Sequence, residues 1–279
     1  LGLGMGLDGA ALGLNLSRCV MLVQALRFAV GTHDLMARPA VADVLETLRP
    51  YLAIAIPAIL AQQAAPVGNY LLTSVMAGFG DQAMAGWAVV GRLTVVAFGG
   101  VFSLAGAIGG IFGQNYGARD YARLRSTYRD ALIFGLIYTV VTWALLAAAG
   151  PYVVRGFGLE GEGAQVVTTF VTIGAGAFVF AAALFVANSA FNALGRPTWA
   201  TLASWTRDGI LTWPAAIWLG SLFGAAGVIY AQALVAIVSG VLVCWLGWRY
   251  VLGLERQDLP PLDLEPPRPY AHADRFRRR

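Results

Sequence analysis

Lysine is absent from this 279-residue chain, and charged residues of both signs make up only 12% of it. A soluble domain usually carries about 25% charged residues to keep its surface wet. With 58% hydrophobic residues and a mean hydropathy of +0.67, water is excluded as the main solvent. All 19 basic residues are arginines, and the net charge of +4 is too small and too scattered to address nucleic acid. Cysteine occurs twice, at Cys19 and Cys244, both inside apolar runs where a thiol behaves as a small hydrophobe, so no disulfide is expected. The two histidines, His33 and His272, have no ligand candidates at metal spacing, so neither a metal nor another cofactor is expected. No Ser–His, paired-acid or metal constellation lies within the apolar runs, which argues against an enzyme.

What is present instead is length of apolar chain. A membrane-spanning helix needs about 20 predominantly apolar residues, and uncharged stretches cover 50–80, 93–118, 131–154, 163–195 and 209–248. The last is long enough for two crossings, and Ser221 to Gly227 supplies the turn between them. With the opening segment included, seven helices are predicted: roughly 1–28, 50–78, 82–114, 126–150, 164–194, 197–220 and 225–250. The expected fold is therefore an all-α polytopic membrane bundle, its direct partner the lipid bilayer. Residues 31–49 read as a polar connector with an amphipathic stretch from Val41 to Leu48, and residues 254–279 as a proline-rich, charged, disordered tail. The start lacks the basic lead and short apolar core of a cleavable signal peptide. It opens on Leu1 inside an apolar, glycine-rich segment, which predicts a piece of a longer chain or a reading frame taken too short.

Orientation follows from the arginines, because positively charged loops stay on the cytoplasmic side. Threading the predicted helices in alternation places fifteen of them on one side and only Arg155 on the other. The remaining three, Arg18, Arg92 and Arg207, fall within helices. The expectation is a multi-pass protein of the cytoplasmic (inner) membrane with a cytoplasmic C-terminus.

Polar groups inside such helices are costly, so each is a functional candidate with a structural alternative beside it. Asp208 is the acid deepest in the apolar zone, with Arg207 adjacent and Arg92 as a second possible partner. A low dielectric favours the neutral acid, able to exchange a proton; a neighbouring arginine favours a permanent ion pair locking two helices. Both readings stand. Asn188 and Asn192, four residues apart, share a helix face and suit a cavity wall or a helix contact. Gln62 and Gln63 point about 100° apart, so at most one readily faces a cavity, and Asn69 completes this group. Trp205 and Trp213 lie deep enough to meet an aromatic or cationic substrate. Pro57 and Pro66 interrupt their helix and could act as hinges or as passive kinks.

Three stretches carry a family likeness. In AIGGIFGQNYGARDYARLR, Gly113, Gln114, Gly117 and Ala118 form a Gly-Gln-x-x-Gly-Ala pattern before a basic loop. ANSAFNALGRPTWATLASWTRDGILTWPAAIWL joins a polar-bearing helix, a Leu-Gly-Arg-Pro turn and a Leu-x-x-Pro element at Leu211 to Pro214. The run 55–104 has an early proline, a glycine turn at Gly78 and Gly80, and an Ala-Gly stretch ending at Arg92. Together, over residues 1–255, they resemble the multidrug and toxic compound extrusion (MATE) family of antiporters. The resemblance implies two six-helix lobes around a central cavity that opens alternately to either side. Placed on that plan, residues 1–30 are the last helix of an otherwise missing N-terminal lobe, 31–49 the inter-lobe linker and 50–253 the C-terminal lobe. It also implies export of small organic compounds by ion-coupled antiport. One branch of the family uses acids in the helices matching 50–78 and 164–194, and here neither contains one. The DinF-like branch, with H+ rather than Na+ as the coupling ion, is the closer fit. A lipid-linked oligosaccharide flippase of the wider superfamily and a non-transporting truncated half are the alternatives.

Overall fold

The structure is a computed structural model that describes residues 6–32 and 41–255. Among these residues every element is helical: α1 (Gly6–Leu26), α2 (Val41–Ala77), α3 (Asp81–Gly117), α4 (Tyr121–Gly156), α5 (Gly161–Thr169), α6 (Ala175–Ala193), α7 (Pro197–Trp205), α8 (Thr212–Phe223) and α9 (Ala225–Leu254). A π-helical turn over Arg27–Thr32 extends α1, one over Phe170–Gly174 fuses α5 to α6, and one over Thr206–Leu211 fuses α7 to α8. Counting each fused pair as one rod, seven rods follow one another where seven crossings are expected, in an all-α membrane bundle. Four of them are long and apolar enough to cross a membrane: Asp81–Gly117, Tyr121–Gly156, Gly161–Ala193 and Ala225–Leu254. α1 and the rods 41–77 and 197–223 fall outside that set, and the last two carry Gln62, Gln63, Asn69, Arg207 and Asp208.

The rods overrun their predicted ends. α2 starts at Val41 rather than near residue 50, and α4 covers Tyr121–Gly156 rather than 126–150. The reason is physical: charge marks the edge of hydrocarbon, not the end of a helix, and α2 and α4 carry Pro50 and Gly150–Pro151 inside the helix rather than stopping at them. The stretch Val41 to Leu48 is thus the first part of α2. Residues 33–40 of the expected connector, and the expected tail from residue 256 on, lie outside the described residues.

The chain divides into two compact units, Leu1–Ala53 and Ile54–Arg279. In the first, α1 exposes Leu12, Leu14, Leu16, Val20, Met21 and Leu22, apolar on successive sides as lipid-facing helices are. In the second, α6 occupies the middle, packed on α3, α4, α7 and α9. Without a hydrophobic force between helices in lipid, close approach depends on small residues. Gly240 of α9 lies so tightly on the backbone of Phe180 in α6 that no Cβ fits, and Gly86 of α3 meets Gly163 of α5 the same way. Two apolar clusters hold the ends of this unit. One gathers Met76, Trp87, Phe98, Val166, Phe170 and Ile229; the other gathers Phe112, Leu124, Tyr128, Leu184, Phe191 and Leu254.

Candidate functional site

The α7–α8 rod lies along α2, the two helices running in the same direction, and of the residues singled out above Trp205 and Asp208 fall on their seam. The Thr201 hydroxyl donates to the Pro57 carbonyl at 3.0 Å, and Trp205 Nε1 donates to the Leu60 carbonyl at 2.8 Å. One to two turns further along, Gly68 is buried against Asp208; a Cβ on that glycine would lie 2.8 Å from the Asp208 carbonyl oxygen and 2.9 Å from its Cβ. Residues 201, 205 and 208 follow helical spacing, so one face of the rod reads along one face of α2.

At the end of this seam the rod is not a regular α-helix. In the π-turn Thr206–Leu211 the Thr212 hydroxyl donates to the Arg207 carbonyl at 2.6 Å, five residues back. Single π-turns inside longer helices are frequent at functional sites. Arg207 Nε lies 2.9 Å from Asp208 Oδ1, with side chains 21% and 17% exposed. The guanidinium also sits 5.6 Å from the centre of the Phe185 ring on α6, a cation–π contact. One turn along α6, Asn188 Nδ2 donates to Ser204 Oγ at 3.1 Å, while its Oδ1 is buried without a partner. An acceptor left unpaired in an apolar setting costs about 1–3 kcal/mol, which marks Asn188 as poised for another donor.

Each sequence candidate now has a place. Arg207 is the partner of Asp208; Arg92 is exposed on α3 and forms no ion pair with it. Asn188 belongs to the cluster, whereas Asn192, one turn along the same face, is exposed. Gln62, Gln63 and Asn69 are exposed on α2. Trp205 spends its indole N–H on the seam, while Trp213 is 42% exposed. α2 is continuous through Pro57 and Pro66, and π-turns occur at Arg27–Thr32, Phe170–Gly174 and Thr206–Leu211. Ser204, Thr212, Phe185 and Gly68 were not singled out in the sequence. Of these, only the spacing of Ser204 from Arg207 and of Phe185 from Asn188, three residues in each case, carried a signal.

The Gly113–Ala118 motif closes α3 onto α4. Ala118 N–H donates to the Gln114 carbonyl at 2.9 Å, Arg119 takes φ +57°, and the Asp120 carboxylate caps α4 by accepting from the Arg123 N–H at 2.9 Å. Asn115 Nδ2 then donates to the Thr127 hydroxyl at 3.1 Å, tying the two helices together. Asn115 thus braces the turn through its side chain and Gln114 through its backbone carbonyl.

The described residues thus form a membrane-type helical bundle, four of its rods long and apolar enough to cross a bilayer and another holding a charged pair. Solved transporters share the fold. The outward-facing form of a multidrug resistance MATE transporter of the MOP superfamily matches with a TM-score of 0.80 and 18% identity, over 91% of this chain and 58% of that one. A MATE structure in the straight conformation gives 0.79 and 18%, over the same shares. Vibrio cholerae VcmN in the bent form gives 0.71 and 21%, over 81% and 52%. The MatE family model matches residues 57–218, and the chain belongs to the MATE family. A curated relative, the uncharacterized 21 kDa protein in the iaaL 5′ region of Pseudomonas savastanoi, is 42% identical over 94 residues, 33% of this chain and 30% of that protein. The chain spans between half and three fifths of the length of these MATE structures.

Proposed function

We propose that this chain is the C-terminal lobe, with the preceding helix and linker, of a secondary transporter that exports small organic compounds across the cytoplasmic membrane by ion-coupled antiport. The observation that carries the reading is the Arg207–Asp208 pair, held inside a π-turn of an otherwise apolar rod and wedged against Gly68 of α2. An intramembrane charge is expensive and is kept where an ion or substrate pathway uses it. A carboxylate that swaps its arginine partner for a proton changes the charge of the seam, and helix seams of this kind convert such a change into a new packing. Asn188 offers a buried acceptor and the exposed indole of Trp213 an aromatic face, both suited to an organic cation.

H+ is the proposed coupling ion. No group of three or more His, Cys, Asp or Glu side chains comes together among the described residues, and a lone carboxylate can take a proton but offers a metal ion few ligands. The absence of acids from 50–78 and 164–194 supports the DinF-like branch. The coverage of the MATE structures supports an N-terminal lobe as the partner that completes the cavity. The test is reconstitution of the complete transporter in vesicles. A pH gradient is expected to drive accumulation of a fluorescent organic cation such as ethidium, and a Na+ gradient is not. Uptake driven by Na+ alone would refute proton coupling, and no uptake under either gradient would refute drug export.

A further inference from the structure

A second feature of the C-terminal unit lies away from the polar seam. A cleft of about 350 Å³ opens between α4 and the α5–α6 rod, lined by Ala147, Gly150, Pro151, Val154, Arg155, Thr168, Val171 and Thr172. Two backbone irregularities face each other across it. Pro151 sits inside α4, where it lacks the N–H that would bond the Ala147 carbonyl and where its ring prevents regular packing. Opposite, the π-turn Phe170–Gly174 includes Val171 and Thr172. Gly150 holds the floor closed, since a Cβ there would lie 2.8 Å from Val171 Cγ2. Trp143 Nε1 bonds the Thr172 carbonyl at 3.0 Å and so fixes the rod on the far side.

The cleft is apolar in depth and cationic at its mouth. Arg155 is exposed in the last turn of α4. Among the described residues it has no ion pair, and Glu160, five residues on, does not bond it. It is not needed to close the helix either, because the carbonyls of Val153, Val154 and Arg155 already accept from the N–H groups of Phe157, Leu159 and Gly158. Arg155 is also the one arginine that the charge distribution places opposite fifteen others. Leu145, Tyr152 and Ile173, 66%, 75% and 46% exposed, give the surrounding wall an apolar surface of the kind that faces lipid tails.

We infer that this cleft is a binding site for an anionic phospholipid of the leaflet facing the Gly158 turn, with the phosphate on Arg155 and an acyl chain laid between Pro151 and Val171. A guanidinium matches a phosphate in charge and geometry, and the Thr168 hydroxyl, on the same wall, is available to the ester region. A soluble anion would gain the charge contact but not the apolar burial, so the occupant is the lipid rather than free phosphate.

The experiment is native mass spectrometry of the detergent-purified chain titrated with dioleoylphosphatidylglycerol or dioleoylphosphatidylcholine. A phosphatidylglycerol adduct is expected at least tenfold tighter than the phosphatidylcholine adduct. It should be lost in Arg155→Gln, retained in Arg155→Lys, and lost in Ala147→Phe, which fills the cleft while leaving the charge. Arg129→Gln, at the opposite end of α4 and paired with Asp130, should leave it unchanged. A melting temperature taken on every variant shows that it is folded. Equal retention of the two lipids, equal loss in Arg129→Gln, or full competition by glycerol phosphate without acyl chains would each overturn the site.

Discussion

Gly68 of α2 and Asp208 of the α7–α8 rod meet without room for a single methyl group between them: a Cβ on the glycine would sit 2.8 Å from the aspartate's carbonyl oxygen. The backbone and Cβ of Asp208 therefore pack directly on the α2 backbone, and any movement of one helix along the other is felt there. Gly68→Ala should force the two apart at a cost of about 1–3 kcal/mol, the range for overpacking a close contact. The check is the melting temperature of the purified variant in detergent, expected to fall clearly below wild type.

The seam above that contact depends on donors to α2 carbonyls. Trp205→Phe keeps the aromatic bulk and removes the N–H that bonds Leu60. Interhelical hydrogen bonds in membranes are worth about 0.6 kcal/mol on average, with a maximum of about 1.7. A loss in that range, read from unfolding in sodium dodecyl sulfate, is expected, and Trp205→Ala should lose more because the ring also covers Gly209.

Arg207 and Asp208 separate the two readings of the pair. Removing either charge alone leaves the other uncompensated in a mostly buried site, so Arg207→Ala should destabilise the protein. The double variant Arg207→Ala with Asp208→Asn removes both charges and should recover much of that stability, which a double-mutant cycle measures directly. If the pair is only a structural ion pair within the α7–α8 rod, transport recovers with stability. If Asp208 carries the coupling proton, stability returns and transport does not.

At the centre of the unit, Gly240→Ala should be far more damaging than Gly68→Ala. Its Cβ would run into the backbone of Phe180, on α6, which packs against α3, α4, α7 and α9. Loss of a monodisperse peak in size-exclusion chromatography is the expected result; Gly253→Ala, with open space around it, should elute as wild type.

Much of the architecture was legible because a lipid-spanning helix announces itself by length and apolarity alone. The turn after α3 was legible in part, since Asn115 and Asp120 tie and cap the next helix, whereas the left-handed position falls on Arg119 rather than on a glycine. The ends of α2 and α4 were not, because Asp43, Glu46, Arg123 and Arg125 mark where hydrocarbon stops and say nothing about where hydrogen bonding stops. The π-turns were invisible for a related reason. TRDGIL and FVTIG each hold only a single glycine, which helices commonly tolerate, and Pro57 and Pro66 lie in a helix that continues past them. The pairing of Asp208 was half legible: Arg207 and Arg92 were both candidates by sequence, and only the fold decides that Arg92 lies elsewhere. Gly68 is the clearest omission. Nothing in VGNY distinguishes a glycine that seats an aspartate from one that merely sits in a helix.

The most direct test of the central claim is substrate-driven proton movement in vesicles carrying the complete transporter, with and without Asp208→Asn. Addition of ethidium should discharge an imposed pH gradient with the wild-type protein and fail to do so with the variant, inserted in the membrane in equal amount. Discharge by Asp208→Asn at the wild-type rate would contradict the claim and leave Arg207–Asp208 as a structural ion pair.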